Sequence, residues 1–167
     1  MGTAAARTVI VGHDGSSTAD LALAWALDYA ALCDARVRVI RGWTMSSAPR
    51  PASMTGGYVP PIEDFEDAVR QRLRADIDPV VAERGAGIEV DCDCVRGAVA
   101  NGLIDASRDA DLLVIGARGV GGFKGLVLGS VSEQCARHAA CPVVIVRDEH
   151  SADIERAREP DAGLLGE

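Results

Sequence analysis

The sequence predicts a single α/β domain with a parallel sheet. Two observations carry this. Five short apolar runs, rich in β-branched residues or alternating with polar ones, are separated by stretches with the spacing of helices, and strands that alternate with helices close a parallel sheet through right-handed crossovers. The chain is also the right size: 167 residues, 48% hydrophobic and 25% charged, suit one folded domain with a real core.

The elements follow in order. Thr8–Gly12 (TVIVG) is a buried strand ending in a polar turn, His13-Asp14-Gly15-Ser16. Ser17 and Asp20 form a capping pair that opens a helix to about Cys33, with Leu23, Leu27 and Ala30 on one spacing and Ala22, Trp25 and Tyr29 on another. Val37–Trp43 is the second strand. Thr44–Pro61 holds four prolines and two glycines without periodicity, which predicts a long mobile loop. Phe65, Val69, Leu73, Ile77 and Val80 place a helix over Ile62–Glu83, which Pro79 should kink or shorten. Ile88, Val90, Cys92 and Cys94 alternate as a third strand. A short helix over Ala98–Ser107, a fourth strand over Asp111–Ile115, a helix from about Gly129 to Ala139 and a fifth strand over Val143–Val146 complete the pattern. There is no internal repeat. Residues 1–6 read as a short disordered start, 7–147 as the domain and 148–167 as a tail, frayed or only locally helical.

Charge and cysteine content narrow the function. The formal charge is −8, of which the acidic tail Asp148–Glu167 carries a net −5, so nothing resembles a basic nucleic-acid footprint. Five cysteines make no paired framework and read as thiols in a reducing compartment. No apolar run approaches the ~20 residues that cross a bilayer, and the N-terminus shows no secretory pattern, so the expected location is the cytoplasm.

Two motifs point to chemistry. Between the fourth strand and its helix, six glycines fall in the fourteen positions from Gly116 to Gly129, in the pattern Gly116-x2-Gly119-x9-Gly129-Ser130. Glycine lets the backbone approach a ligand, and the amides of such a loop cradle phosphate oxygens. Gly129-Ser130 then opens a helix whose free amides and dipole favour an anion. Ser130 and Ser132 either donate hydroxyls or cap that helix. The pattern is not a P-loop, because Lys124 precedes Gly125 rather than Ser or Thr, and the dinucleotide glycine pattern also fails. A surface loop is the plain alternative. The second motif is Asp14, just past the carboxyl end of the first strand, where open α/β sheets bind ligands. Its carboxylate suits ribose hydroxyls or, through water, a metal on phosphates; alone it equally suits a turn. His13 either lines that pocket or is an exposed turn residue. Cys135, His138 and Cys141 have a spacing that could suit a metal but lack a fourth ligand, and a helix face explains them.

Taken together, Val9–Ser16, Val95-Arg96-Gly97, Val114–Gly119, Gly129-Ser130-Val131 and Cys141–Val146 resemble the universal stress protein family, over about Arg7 to Arg147. The Gly-x2-Gly-x9-Gly-Ser spacing is that of its ATP-binding branch. The resemblance implies an open, Rossmann-like five-stranded parallel sheet of order 3-2-1-4-5, with helices on both faces and a switch point between strands one and four. It implies that Gly12 lines the pocket floor, that Asp14 contacts the ribose or phosphate region, and that the Gly42 backbone meets the adenine edge. Gly116, Arg118, Gly119, Gly129, Ser130 and Val131 would hold the phosphates, Ala117 would belong to the same nucleotide-binding stretch, and Val95 and Ile115 would contact the nucleoside. The expected ligand is ATP or another adenine nucleotide, with Mg²⁺. The expected assembly is a homodimer through Val143–Val146, an apolar edge strand that natural proteins cover or pair. The expected role is a nucleotide-responsive regulatory module in the stress response; the alternative is a slow ATP hydrolase or phosphate donor.

Overall fold

The structure, a computed structural model, describes residues 7–119 and 128–148. The segment 1–6 and most of the acidic tail therefore lie outside the described residues, as does the middle of the glycine-rich loop. Strands β1 (Arg7–Gly12), β2 (Ala35–Trp43), β3 (Val90–Arg96), β4 (Leu112–Gly116) and β5 (Val143–Val146) form one parallel sheet in the order β3-β2-β1-β4-β5. Helices α1 (Ser17–Cys33), α2 (Ile62–Arg84), α3 (Val99–Ala106) and α4 (Ser130–His138) connect them. A single 3-10 turn, Ser107–Asp109, follows α3.

The strands alternate between two apolar layers. Val9, Val11, Val37, Val39 and Val114 pack against Leu23 and Leu27 of α1 and Leu73 and Ile77 of α2. Ile10, Ile40, Leu113 and Ile115 face Leu103 of α3 and Cys135 of α4. Because helices cover both faces, β1 and β4 are apolar at successive positions, which is why they read as continuous runs. Each such side chain contributes about 1.5–3 kcal/mol on burial.

Several local expectations change. The N-cap of α1 is Ser16, whose hydroxyl accepts the Ala19 N–H at 3.2 Å, and Asp20 is turned instead to His13. Pro79 lies inside α2 without ending it. Pro79 and Ala75, whose carbonyl it leaves without a helical donor, both lie on the exposed side, where water can serve that carbonyl. On α1 the Leu23, Leu27 and Ala30 spacing is buried, whereas Trp25 and Tyr29 stack on each other at 5.4 Å with more than a third of their surface exposed. β3 starts at Val90; Ile88 precedes it and still packs on the core. Thr44–Pro61 has no helix or strand but runs through hydrogen-bonded turns, with Pro51 and Pro60 buried and Ser53 bonded to Asp64 of α2 at 2.5 Å.

Candidate functional site

The order β3-β2-β1-β4-β5 reverses direction between β1 and β4, so their carboxyl ends open a crevice that no connection fills. A cavity of about 520 Å³ lies there. Its floor comes from Gly12 at the end of β1 and Gly42 near the end of β2. Both are glycines because α3 approaches closely: a Cβ on Gly12 would stand 2.9 Å from a Leu103 methyl, and one on Gly42 would collide with Val99. Leu103, Val99 and Ile115 give that end an apolar lining. Residues i and i+2 of a strand aim their backbone groups to the same side. The Ile40 carbonyl accepts the His13 N–H at 3.0 Å, so the Gly42 backbone aims the same way, one step beyond the end of β1.

The β1–α1 turn supplies one wall. Asp14 Oδ1 accepts the Ser16 N–H at 3.0 Å, closing an Asx turn, while Oδ2 lies over the Gly119 Cα, close enough that a Cβ there would overlap it. Asp14 thus does both things that the sequence left open: it builds the turn and it faces the glycine-rich loop. Gly15 has φ +89°, a conformation that glycine adopts without strain.

The β4–α4 connection supplies the other wall. Gly116 packs on the α1 backbone, where a Cβ would stand 2.9 Å from a Thr18 methyl. The Ala117 carbonyl accepts the Gly129 N–H at 2.7 Å and the Ser132 hydroxyl at 3.0 Å; that hydroxyl also lies 2.8 Å from the Gly116 carbonyl. These bonds staple the start of α4 to the end of β4. The first intrahelical bond of α4 runs from Glu133 N–H to the Gly129 carbonyl. The amides of Ser130, Val131 and Ser132 therefore precede it and have no helical acceptor. All three residues line the cavity. Such a helix start favours an anion by roughly 0.3–1 kcal/mol at an exposed site and up to about 2 when partly buried.

Of the residues singled out in the sequence, Gly12, Asp14, Gly42, Ile115, Gly116, Arg118, Gly119, Gly129, Ser130 and Val131 line this one cavity. Ala117 does not; it is buried and closes the loop through its carbonyl. Val95 does not either, since α3 covers it at Gly102. Arg118 lies 3.7 Å from the Asp148 carboxylate at the cavity's edge. Lining residues that sequence reasoning passed over are Ala19, Val99, Leu103 and Leu128. Their only sequence signal was helical or loop spacing. His13 also lines the cavity and is buried rather than exposed, and desolvation pushes its pKa below 6.5 against the opposing pull of Asp20. Cys135 is buried in the core, its thiol pushed up to about 11 by loss of solvent, and His138 is exposed. Among the described residues no three His, Cys, Asp or Glu side chains gather to hold a metal ion, and no helix is long and apolar enough to cross a membrane.

Comparison with known proteins agrees with this architecture. Residues 5–147 match the model of the universal stress protein family. A universal stress protein of Mycobacterium tuberculosis strain H37Rv is 30% identical over 151 residues, covering 89% of this chain and 52% of the relative. One of Thermus aquaticus is 32% identical over 146 residues, covering 84% of this chain and 98% of the relative. The chain thus spans about half the length of the mycobacterial relatives it matches. Among solved structures, a universal stress protein in complex with cAMP aligns at a TM-score of 0.61 with 27% identity, over 86% of this chain and 98% of that one. A family member from Burkholderia pseudomallei aligns at 0.55 with 30% identity, over 83% and 94%. The chain belongs to the universal stress protein family.

Proposed function

We propose that the cleft binds an adenine nucleotide, ATP with Mg²⁺ foremost, and that binding sets the state of a regulatory module in the stress response. One observation carries this reading: Asp14, the Gly116 and Gly119 backbone and the first amides of α4, which have no acceptor within the helix, surround a single cavity with an apolar end. The bare backbone at Gly119 fits a ligand beside Asp14, because a Cβ there would strike the Asp14 carboxylate on the cavity wall, while Gly116 lets the end of β4 pack closely on Thr18 of α1. The apolar end, with the Gly42 backbone aimed past β1, suits an adenine edge. Asp14 suits the ribose or phosphate region. The α4 amides and Arg118 suit the phosphates. The relative solved with cAMP supports an adenine nucleotide as the ligand class. Free thiols among the described residues suit a cytoplasmic location.

Calorimetric titration with ATP, ADP, AMP and cAMP, with and without Mg²⁺, tests the reading. Saturable binding of at least one is expected, and no heat from any of the four contradicts it. Steady-state phosphate release separates a binding module from the hydrolase alternative; release far slower than nucleotide exchange is the expected result.

The same reading includes a homodimer through β5. This strand lies at the sheet edge, carries Val143-Val144-Ile145-Val146 without a charge, and each of its residues is only half-buried. A two-fold axis there would pair each strand with its own copy. Light scattering should give a dimer for the wild type and a monomer or aggregate for Ile145→Lys. A monomeric wild type at tens of micromolar (on the order of a physiological affinity), with and without ATP, would remove the dimer.

A further inference from the structure

Behind the cleft, on the side of the sheet covered by α1 and α2, two polar residues are buried where an apolar core would otherwise continue. The His13 side chain has no exposed surface. Its Nδ1 accepts the Gly15 N–H at 3.3 Å, and its Nε2 lies 3.0 Å from Asp20 Oδ1 in the first turn of α1. With Nδ1 accepting, the ring proton sits on Nε2 and is donated to Asp20. Arg41, on β2, is 8% exposed. Its Nε donates to the His13 carbonyl at 3.3 Å, and Nη2 reaches Asp76 Oδ2 of α2 at 2.7 Å. Arg72 holds the other oxygen of Asp76 at 2.9 Å. The guanidinium lies directly behind Gly15, where a Cβ would come within 2.7 Å of Nη2.

Burying such groups is costly, and apolar residues of similar volume often serve stability as well or better. Each polar contact named here ends on the backbone of residues 13–15 or on the partner that orients the contacting group. The set therefore does something that a leucine could not: it fixes the path of one turn. That turn carries Asp14, whose side chain points to the opposite face, over Gly119. The clamp also marks where the sheet opens. The His13 N–H makes the last bond from β1 to β2, to Ile40, and the His13 carbonyl holds Arg41 Nε.

We propose that Asp76, Arg41, His13 and Asp20 form a buried clamp that positions the Asp14 turn for ligand, so that His13 and Arg41 are positioning residues of the nucleotide site. This rests on the nucleotide reading above. None of the four side chains need touch the ligand. Their influence passes through the backbone of residues 13–15 to the Asp14 carboxylate.

The test uses the full chain and two readouts. The first is amide exchange at Gly15 and Ser16 in the ligand-free protein. The second is ATP affinity by calorimetry, at a temperature where circular dichroism shows each variant folded. His13→Leu removes the acceptor for Gly15, while His13→Asn keeps a carbonyl oxygen near the Nδ1 position. His13→Leu should speed Gly15 exchange and weaken ATP binding, each about tenfold, the scale of one lost hydrogen bond. His13→Asn should restore most of both. In an Asp14→Ala background, His13→Leu should cost less than about twofold in affinity, because the group it positions is gone. Arg41→Lys gives the same readouts with milder losses should His13→Leu fail to fold. A folded His13→Leu with wild-type exchange and affinity overturns the clamp, and so does an undiminished loss in the Asp14→Ala background. A wild type that binds no nucleotide overturns the nucleotide reading instead, and the clamp then stands or falls on Gly15 exchange.

Discussion

On one side of the cleft, the β1–α1 connection crosses in four residues, His13–Ser16, and its side chains hold it: Asp14 bonds Ser16, His13 bonds Gly15 and Asp20, and Ser16 caps α1. On the other side, the β4–α4 connection takes thirteen residues, and beside Arg118 and Leu128 its described ends bring bare main chain to the cleft: the Gly116 and Gly119 backbone and the amides that start α4. The first wall is specified by which side chains are present. The second is specified by where side chains are absent. Substitutions should therefore act in opposite ways on the two walls: truncation harms the first, and addition harms the second.

The largest expected effect tests the second wall. Gly119→Glu places a side chain against Asp14 Oδ2, with Asp14 Cγ 3.3 Å from its Cβ, and sets two carboxylates side by side. ATP binding should be lost while the circular dichroism spectrum and the melting transition stay close to wild type, because Gly119 is exposed and outside the core. A folded variant with full affinity would show that the glycine wall does not contact ligand.

Truncation on the first wall should cost less. Asp14→Ala should weaken ATP binding by about 1–3 kcal/mol, the scale for losing a charged hydrogen-bonding group. A smaller loss without Mg²⁺ would mean that the carboxylate acts through the cation. Equal affinity under both conditions would reduce Asp14 to its Asx turn.

A smaller effect distinguishes the walls by pH, since only the first holds a buried titratable ring. Burial lowers the His13 pKa in the folded chain, whereas the unfolded chain titrates near ~6.5. The unfolded state then takes up the proton first. Stability should be complete above that value and fall as the pH drops from it toward the lowered folded pKa. Urea midpoints across this range should show the decline in wild type and not in His13→Asn. Parallel profiles would contradict the assignment.

The smallest effect is expected from the tail. Asp148 pairs with Arg118 at the cavity's edge, so the cut belongs after it. Removing residues 149–167 takes away net negative charge that opposes a polyanion. Affinity should stay equal or rise slightly, most at low salt. A large drop would mean that the tail packs on the domain.

The sequence made the sheet legible because β1 and β4 at its centre are buried on both faces, so TVIVG and LLVIG stand out as continuous apolar runs. The glycine spacing was legible for a related reason, since close approach leaves only one residue type acceptable. What stayed hidden depends on contacts between distant segments. Val95, which the resemblance sets at the nucleoside, lies under Gly102 of α3 and outside the cavity lining, and Ala117 turns its carbonyl to the Gly129 N–H. Asp20 looked like half of a capping pair, but its partner is His13, seven residues back and folded over by the turn. Trp25 and Tyr29 followed helical spacing like the core residues, and only the placement of α1 on the sheet left them outward.

Amide chemical-shift mapping with ATP tests most directly whether ligand sits between the two walls. Titration should shift the amides of Gly15 and Ser16 on one wall and of Gly119, Ser130, Val131 and Ser132 on the other, with Gly42 at the apolar end. The outward face of α1 around Trp25 and Tyr29 should remain still. Shifts confined to one wall, or centred on that outer face, would contradict a nucleotide held across the end of the sheet.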